Sequence, residues 1–380
     1  MALDEGINTQ LNISKARLTA ISRYASLLLG LNALPACAAS NANTDAAELA
    51  AAITVHMQNE REFPLESTLK SLRVPNIAAI EASRNGEDGE CVWPRQKPDA
   101  MSKDEWRALR RSVMPGIGEN GCGSYMLIDM NDDGHRDLLQ RTYEGGTGLF
   151  TYYSAWKRVG TRFIAVKHKN SATDDETDEL FSTNDRGANQ WHELIRINGR
   201  IYVAYVDGSF GQDNVLLLRP LERHAQAATL KVEYRYRFSV PLKQRLEESD
   251  KQNTTNLSRE LQKTFETALA RHTGNTNSAN QPTLCPVPPD ISDDKRLSYS
   301  SYGAGHYSYE TVIDFPIWWQ GHCHIARLID WFGQYDRKNG LNAMLSVRRT
   351  EGAVGGLEYE VHARRRAIAV RVVPNSSQTN

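Results

Sequence analysis

The chain has 380 residues, of which 40% are hydrophobic and 24% charged, with a formal net charge of -1. That balance excludes an intrinsically disordered chain and gives no electrostatic reason to expect a nucleic-acid partner. The length leaves room for two domains with sizeable cores.

At the start of the chain, Lys15, Arg17 and Arg23 precede an apolar run over residues 24–34 that ends in Leu34-Pro35-Ala36-Cys37-Ala38. A run of about 11 residues is too short to span a bilayer and has the length of a secretion signal's core. Its end reads in two ways. Ala36 and Ala38 flank Cys37 as in an A-x-A cleavage site, or residues 34–37 resemble a bacterial lipoprotein box with an unusual Pro35, which would make Cys37 a lipid anchor. The alternative is an amphipathic helix of a cytosolic protein. Either exported reading leaves Cys91, Cys122, Cys285 and Cys323, an even number that suggests two disulfides. Of three connectivities, the sequence-local one pairs Cys91 with Cys122 and Cys285 with Cys323.

Residues 44–59 are alanine-rich and helical in pattern. A second helix is expected over 102–114, with Ser102 as N-cap and Trp106, Leu109 and Val113 on one face. From Cys122 onward the period changes to that of strands, expected at 125–128, 137–143, 150–156, 162–166, 193–197, 201–206, 214–218 and 230–238, with glycine turns between them. Leu257, Leu261, Phe265 and Leu269 then recur every four residues on a helix that Ser258 can cap. A stretch rich in Asn, Pro, Ser and Asp over 273–295 reads as a linker or long surface loop. Strand patterns resume at 309–313, 324–328, 343–348, 357–362 and 367–373. The arginines Arg364, Arg365 and Arg366, beside Arg348 and Arg349, read as a solvated face. The expected fold is α+β and mainly antiparallel β, with two β-rich modules, a helical N-terminal segment and a connecting helix. Its divisions are a leader (1–42), the helical segment (43–120), a β-module (121–245), helix and linker (246–295) and a C-terminal β-module (296–374).

One segment carries a specific chemical signal. In Asp129-Met130-Asn131-Asp132-Asp133-Gly134-His135-Arg136-Asp137, side-chain oxygens fall at positions 1, 3, 5 and 9, with glycine at 6. Calcium takes six to eight oxygens at roughly 2.3 to 2.6 Å, so a short chain must curl around it and turn alternate side chains inward. Gly134 permits the turn, and the His135 carbonyl supplies a ligand at position 7. A helix-loop-helix EF-hand needs Glu at position 12, where Gln140 stands. The segment resembles the nine-residue calcium loops of FG-GAP and VCBS-type β-proteins, which join neighbouring strands. The resemblance covers residues 125–150 and implies a structural calcium ion held by Asp129, Asn131, Asp133 and Asp137. A single copy argues against a propeller.

Tyr143-Glu144-Gly145-Gly146-Thr147-Gly148 lacks the Lys-Ser/Thr ending of a phosphate cradle. With Tyr143, Gly145, Gly146 and Phe150 it reads as packed strand aromatics or as a surface for entering a partner's cleft. Trp318 and Trp319 are a second candidate surface, in the core or stacked on sugar rings. His322 and His324 would share one face of a strand and could share a transition metal; the favoured reading puts Cys323 in a disulfide and leaves the histidines as ordinary residues. His306 and Trp331 stand nearby in sequence. No G-x-S-x-G nucleophile motif is present, and Ser301 to His306 imitates only parts of one. These features are loosely similar to periplasmic inhibitor and immunity proteins, although the Ser-Gly-x-x-Tyr insertion motif of lysozyme inhibitors is absent. The expectation is an exported bacterial protein, in the periplasm or lipid-anchored at the outer membrane, that binds an envelope enzyme or toxin. The alternatives are a glycan- or peptidoglycan-acting hydrolase and a sugar-binding adhesion module.

Overall fold

The computed structural model describes residues 37–84, 89–118, 121–146, 148–169, 175–185, 189–246, 253–271, 283–300, 311–330, 335–350 and 357–373. The expected leader up to residue 36, the Ser301 to His306 stretch and Trp331 lie outside them.

Two helices open the described chain. In α1 (Cys37–Asn59), Ala46, Leu49 and Ile53 follow the three-then-four spacing of a single helical face, and all three are fully buried. In α2 (Pro64–Leu72), Pro64 stands in the first turn, where its missing N–H costs nothing, and Leu65 and Leu69 one turn apart are buried. Helix α2 was not among the expected elements.

A six-stranded sheet follows. Its strands are β1 (Ala78–Glu81), β2 (Ser124–Ile128), β3 (Asp137–Gly145), β4 (Phe150–Val159), β5 (Arg162–Ala165) and β6 (Glu179–Asn184), in the order β1-β2-β3-β4-β6, with β5 also paired to β4. The two faces of this sheet pack differently because alternate residues point to opposite sides. Tyr125, Leu127, Leu138 and Phe163 meet Ala108 and Leu109 of α3 (Lys103–Ser112). Leu139, Tyr153 and Phe181 turn the other way. Helix α3 begins as expected at Ser102, in a capping box with Glu105: Glu105 N–H donates to Ser102 Oγ at 3.1 Å and Ser102 N–H to the Glu105 carboxylate at 2.7 Å.

The second sheet has eight strands, all antiparallel: β7 (Asn189–Ile197), β8 (Arg200–Ser209), β9 (Gln212–Leu218), β10 (Gln226–Ser239), β11 (Thr311–Trp319), β12 (His322–Asp330), β13 (Leu341–Arg349) and β14 (Leu357–Val373). Their order is β7-β8-β9-β10-β14-β13-β12-β11. The strands read from 189–239 and from 311–373 therefore form one continuous sheet, joined where β10 runs against β14 from Thr229↔Val373 to Ser239↔His362. Sequence patterns at 357–362 and 367–373 belong to a single strand with a bulge opposite Glu233 and Tyr234.

Strands β7 to β9 are covered on both faces. Leu194, Ile201, Val203 and Leu218 pack against the first sheet, while Ile195, Tyr202, Ala204 and Leu217 pack against α1 and α2. Double burial explains the unbroken apolar run over 201–206. Along β14 the odd-numbered residues Tyr359, Val361, Ala363, Arg365 and Ala367 are all buried on one face. Helix α4 (Arg259–Arg271) covers the far half of that face through Leu261, Phe265 and Leu269, and Ser258 caps it by accepting from Leu261 N–H at 3.1 Å.

Both sequence-local disulfides are present. Cys91–Cys122 and Cys285–Cys323 have Cα atoms 5.6 and 5.8 Å apart. They close loops of 31 and 38 residues, each stabilising by about 4 kcal/mol on the chain-entropy account. The second bond pins the segment around Leu284, Val287, Ile291 and Tyr299 onto β12 as a small core of its own, so the later part of the expected linker is packed structure. Two disulfides point to an oxidising compartment outside the cytosol. Among the described residues, no helix is long and apolar enough to cross a membrane.

Candidate functional site

The acidic loop spans the gap between the last β2–β3 pair, Ile128↔Asp137. It curls as its spacing requires. Asp129 accepts from the N–H groups of Asp133 (3.1 Å) and Gly134 (2.9 Å), and Asp133 accepts from His135 N–H (2.8 Å) and Asn131 Nδ2 (2.9 Å). Gly134 lies at φ 83°, in the left-handed region that a side chain disfavours. The charged residues outside the 1-3-5-9 pattern are drawn away: Asp132 pairs with Arg196 at 2.8 Å, and Arg136 with Glu105 at 2.8 Å. Burial raises the Glu105 carboxyl, but the hydrogen bonds from Arg136 and Ser102 outweigh it and hold it at about 2.

Asp137 is the unusual member. It is 0% exposed, and its two oxygens accept only the N–H groups of Arg158 (2.7 Å) and Met130 (3.1 Å). The guanidinium of Arg158 goes elsewhere, to Asp104 at 2.6 Å. Burial pushes the Asp137 carboxyl up to about 6; the two backbone N–H groups oppose this, and the charges of Asp133 and Asp129 add to it. Three carboxylates and an amide crowd one turn with no side-chain cation directed at Asp137. Hard oxygens of this kind are the donors that calcium takes. Asn131 donates its Nδ2 to Asp133, so its amide must turn over before its oxygen can face a cation. Among the described residues, no group of three or more His, Cys, Asp or Glu is placed so that it could hold a metal ion.

Beside the loop, the edge where the two sheets meet opens into a cavity of about 290 Å³. Met130, Asn131 and Lys157 line it from the first sheet, and Arg200, Ile201 and Arg219 are among its walls from the second. Behind Arg200 stands Asp45 of α1, also 0% exposed. Asp45 accepts from Arg200 Nε and Nη2 (both 2.8 Å), Tyr202 Oη (2.5 Å) and Asn198 Nδ2 (2.9 Å). Burial raises its carboxyl, but these bonds prevail and it lies below the ordinary value. This cleft was not foreseen, since its walls come from residues 130–157 and 200–222 and nothing local marks them as neighbours.

The other sequence candidates separate. Tyr143 and Phe150 are half-buried at the β3–β4 turn, where Gly145 is buried, Gly146 exposed at φ 73°, and Phe150 lies 6.4 Å from the Tyr152 ring. Trp318 is 59% exposed on edge strand β11, whereas Trp319 packs against the core below α4 and lies 5.7 Å from the His324 ring. His322 is exposed and His324 buried, and Cys323 between them faces away into its disulfide.

Arg365 corrects the reading of its arginine run as a solvated face. Arg364 and Arg366 are exposed, but Arg365 points inward from β14, because a strand alternates its faces whatever the charge of the residues. Its guanidinium pairs with Asp213 at 3.4 Å and with Glu66 of α2, and lies 4.1 Å from the Tyr234 ring. Burial raises the Asp213 carboxyl and Arg365 opposes the shift. This buried network fastens α2 to the middle of the sheet. No family model, curated protein or solved structure matches the chain.

Proposed function

We propose that the chain is an exported, calcium-stapled β-scaffold that binds and blocks a protein partner at the cell envelope, as an inhibitor or immunity protein does. The calcium part rests on Asp137: a buried carboxylate with Asp129 and Asp133 nearby, and no side-chain cation directed at it, is the arrangement a divalent cation would stabilise. A weak site of this kind fills where calcium is plentiful, which is the same side of the membrane that favours disulfides. The partner part is supported by Trp318, a large aromatic left 59% exposed on an edge strand, the type of residue that anchors protein interfaces.

The test is to mix the purified protein with peptidoglycan hydrolases and envelope lipases in millimolar calcium. Inhibition of one enzyme, weakened by Trp318→Ala and by chelator, is the expected result. If every activity survives at saturating protein, the blocking role fails. The same exposed Trp318 also favours a second reading, a sugar-binding module, which predicts retention on glycan columns without turnover.

A further inference from the structure

We propose that the cleft between the two sheets is a binding site for a small molecule carrying an oxyanion, either a phosphate monoester or a carboxylate. Three cationic side chains converge on it, Lys157 from β4, Arg200 from β8 and Arg219 just after β9. Two are partly neutralised: Arg200 gives Nε and Nη2 to Asp45, and Arg219 gives Nη1 to Glu222 at 2.8 Å. Lys157 is exposed and has no ion pair among the described residues, although Asp133 of the acidic loop is close enough to feel its charge. Asp45 and Glu222 thus offset two of the three charges at the walls, leaving Lys157 as the wall cation without an ion pair among the described residues.

Arg219 supplies the sharper observation. Its Nη2 reaches Tyr202 Oη only at 3.4 Å, and its Nε is buried with no hydrogen-bond partner. A buried N–H left unmade is costly, and a guanidinium whose hydrogen bonds within the fold are incomplete suits an oxyanion. Besides Asn131 and Glu222, the rest of the lining is apolar: Met130 and Ile201, both buried, with Pro220 and Leu221. A volume of about 290 Å³ is at the small end of ligand sites. The ligand class is therefore a compact body with one anionic head. This inference goes beyond the calcium reading and does not depend on it.

The experiment is calorimetric titration of the full chain in calcium-free buffer at constant ionic strength with inorganic phosphate, glycerol phosphate and succinate, with chloride as control. Saturable one-to-one binding of at least one of the three is expected, and which one binds separates a phosphate from a carboxylate ligand. Lys157→Gln and Arg219→Gln should each weaken that binding about tenfold, the loss of one charge-assisted contact. Because Lys157 is exposed, its variant decides the matter even if Arg219→Gln fails to fold. Absence of saturable binding by all three anions overturns the proposal, as does binding that Lys157→Gln leaves within twofold of the wild type.

Discussion

Asp45 and Asp137 are both fully withdrawn from water, yet they sit in opposite electrostatic settings, one bonded to Arg200 and the other to the Met130 N–H, two residues that line the same cleft. Asp45, where α1 meets β8, receives a forked arginine, a phenol and an amide, and its carboxyl falls below the ordinary range. Asp137, where the acidic loop meets β3, receives two backbone N–H groups and the repulsion of Asp129 and Asp133, and its carboxyl rises to about 6. The fold has solved the problem of a buried charge in one place with its own side chains. In the other it has gathered negative charge without supplying the counter-charge, which is why a cation from solution is the natural complement.

The comparison breaks most visibly with pH. A carboxyl raised from an unfolded value near 4 to about 6 binds a proton in the folded state across that window. The stability it confers is full below about pH 4 and is lost as pH rises through 6, a swing of roughly 3 kcal/mol. In chelator, urea unfolding should show this fall, and Asp137→Asn should flatten it. Asp45 has the opposite sign, since its lowered carboxyl contributes above its unfolded value and loses that contribution as acid takes the pH below its folded one. Calcium supplies the next effect. At about a hundred times its dissociation constant it should add about 2.7 kcal/mol, or roughly 3 °C in melting temperature. Asp129→Ala and Asp133→Ala should abolish that rise, with any fall of the melting temperature in chelator limited to the loss of their loop hydrogen bonds. Equal wild-type melting temperatures with and without calcium would falsify the calcium reading.

Arg200→Met should place Asp45 in the position of Asp137. The expected cost is about 2 kcal/mol, less than for a sealed pair because Arg200 is 40% exposed and water reaches the gap. The same variant should raise the Asp45 carboxyl, readable as a new acid-side titration in the unfolding free energy. The smallest change is expected from Asp132→Ala, whose pair with Arg196 is exposed on both sides. It should cost under about 1 kcal/mol and leave the calcium response intact.

Local signals carried much of the fold. The capping box at Ser102 and Glu105, the fourfold spacing of Leu261, Phe265 and Leu269, and the alternation within individual strands are all written in neighbouring residues. Helix α2 was missed although Pro64 in its first turn, with Leu65 and Leu69 a turn apart, is such a signal. Long-range pairing was not legible in the same way. Nothing near Thr229 announces that its partner is Val373, so one sheet reads as two modules. The same limit applies to the sites. The acidic loop is confined to nine residues and can be found by spacing, whereas the inward turn of Arg365 depends on strand phase, and the cationic cleft on how two sheets meet.

Strand β14 has a consequence for how the molecule is made. It is the last described element in the chain, yet it lies in the middle of the large sheet, with β10 on one side and β13 on the other. Until it arrives, the strands before it can form a four-stranded and a three-stranded piece, each with an open hydrogen-bonding edge. Assembly then waits on a ladder whose partners lie more than a hundred residues apart, a slow step by the contact-order rule. A nascent chain of this design keeps those two edges unpaired until that strand emerges, and unpaired strand edges are where a partly folded chain mispairs.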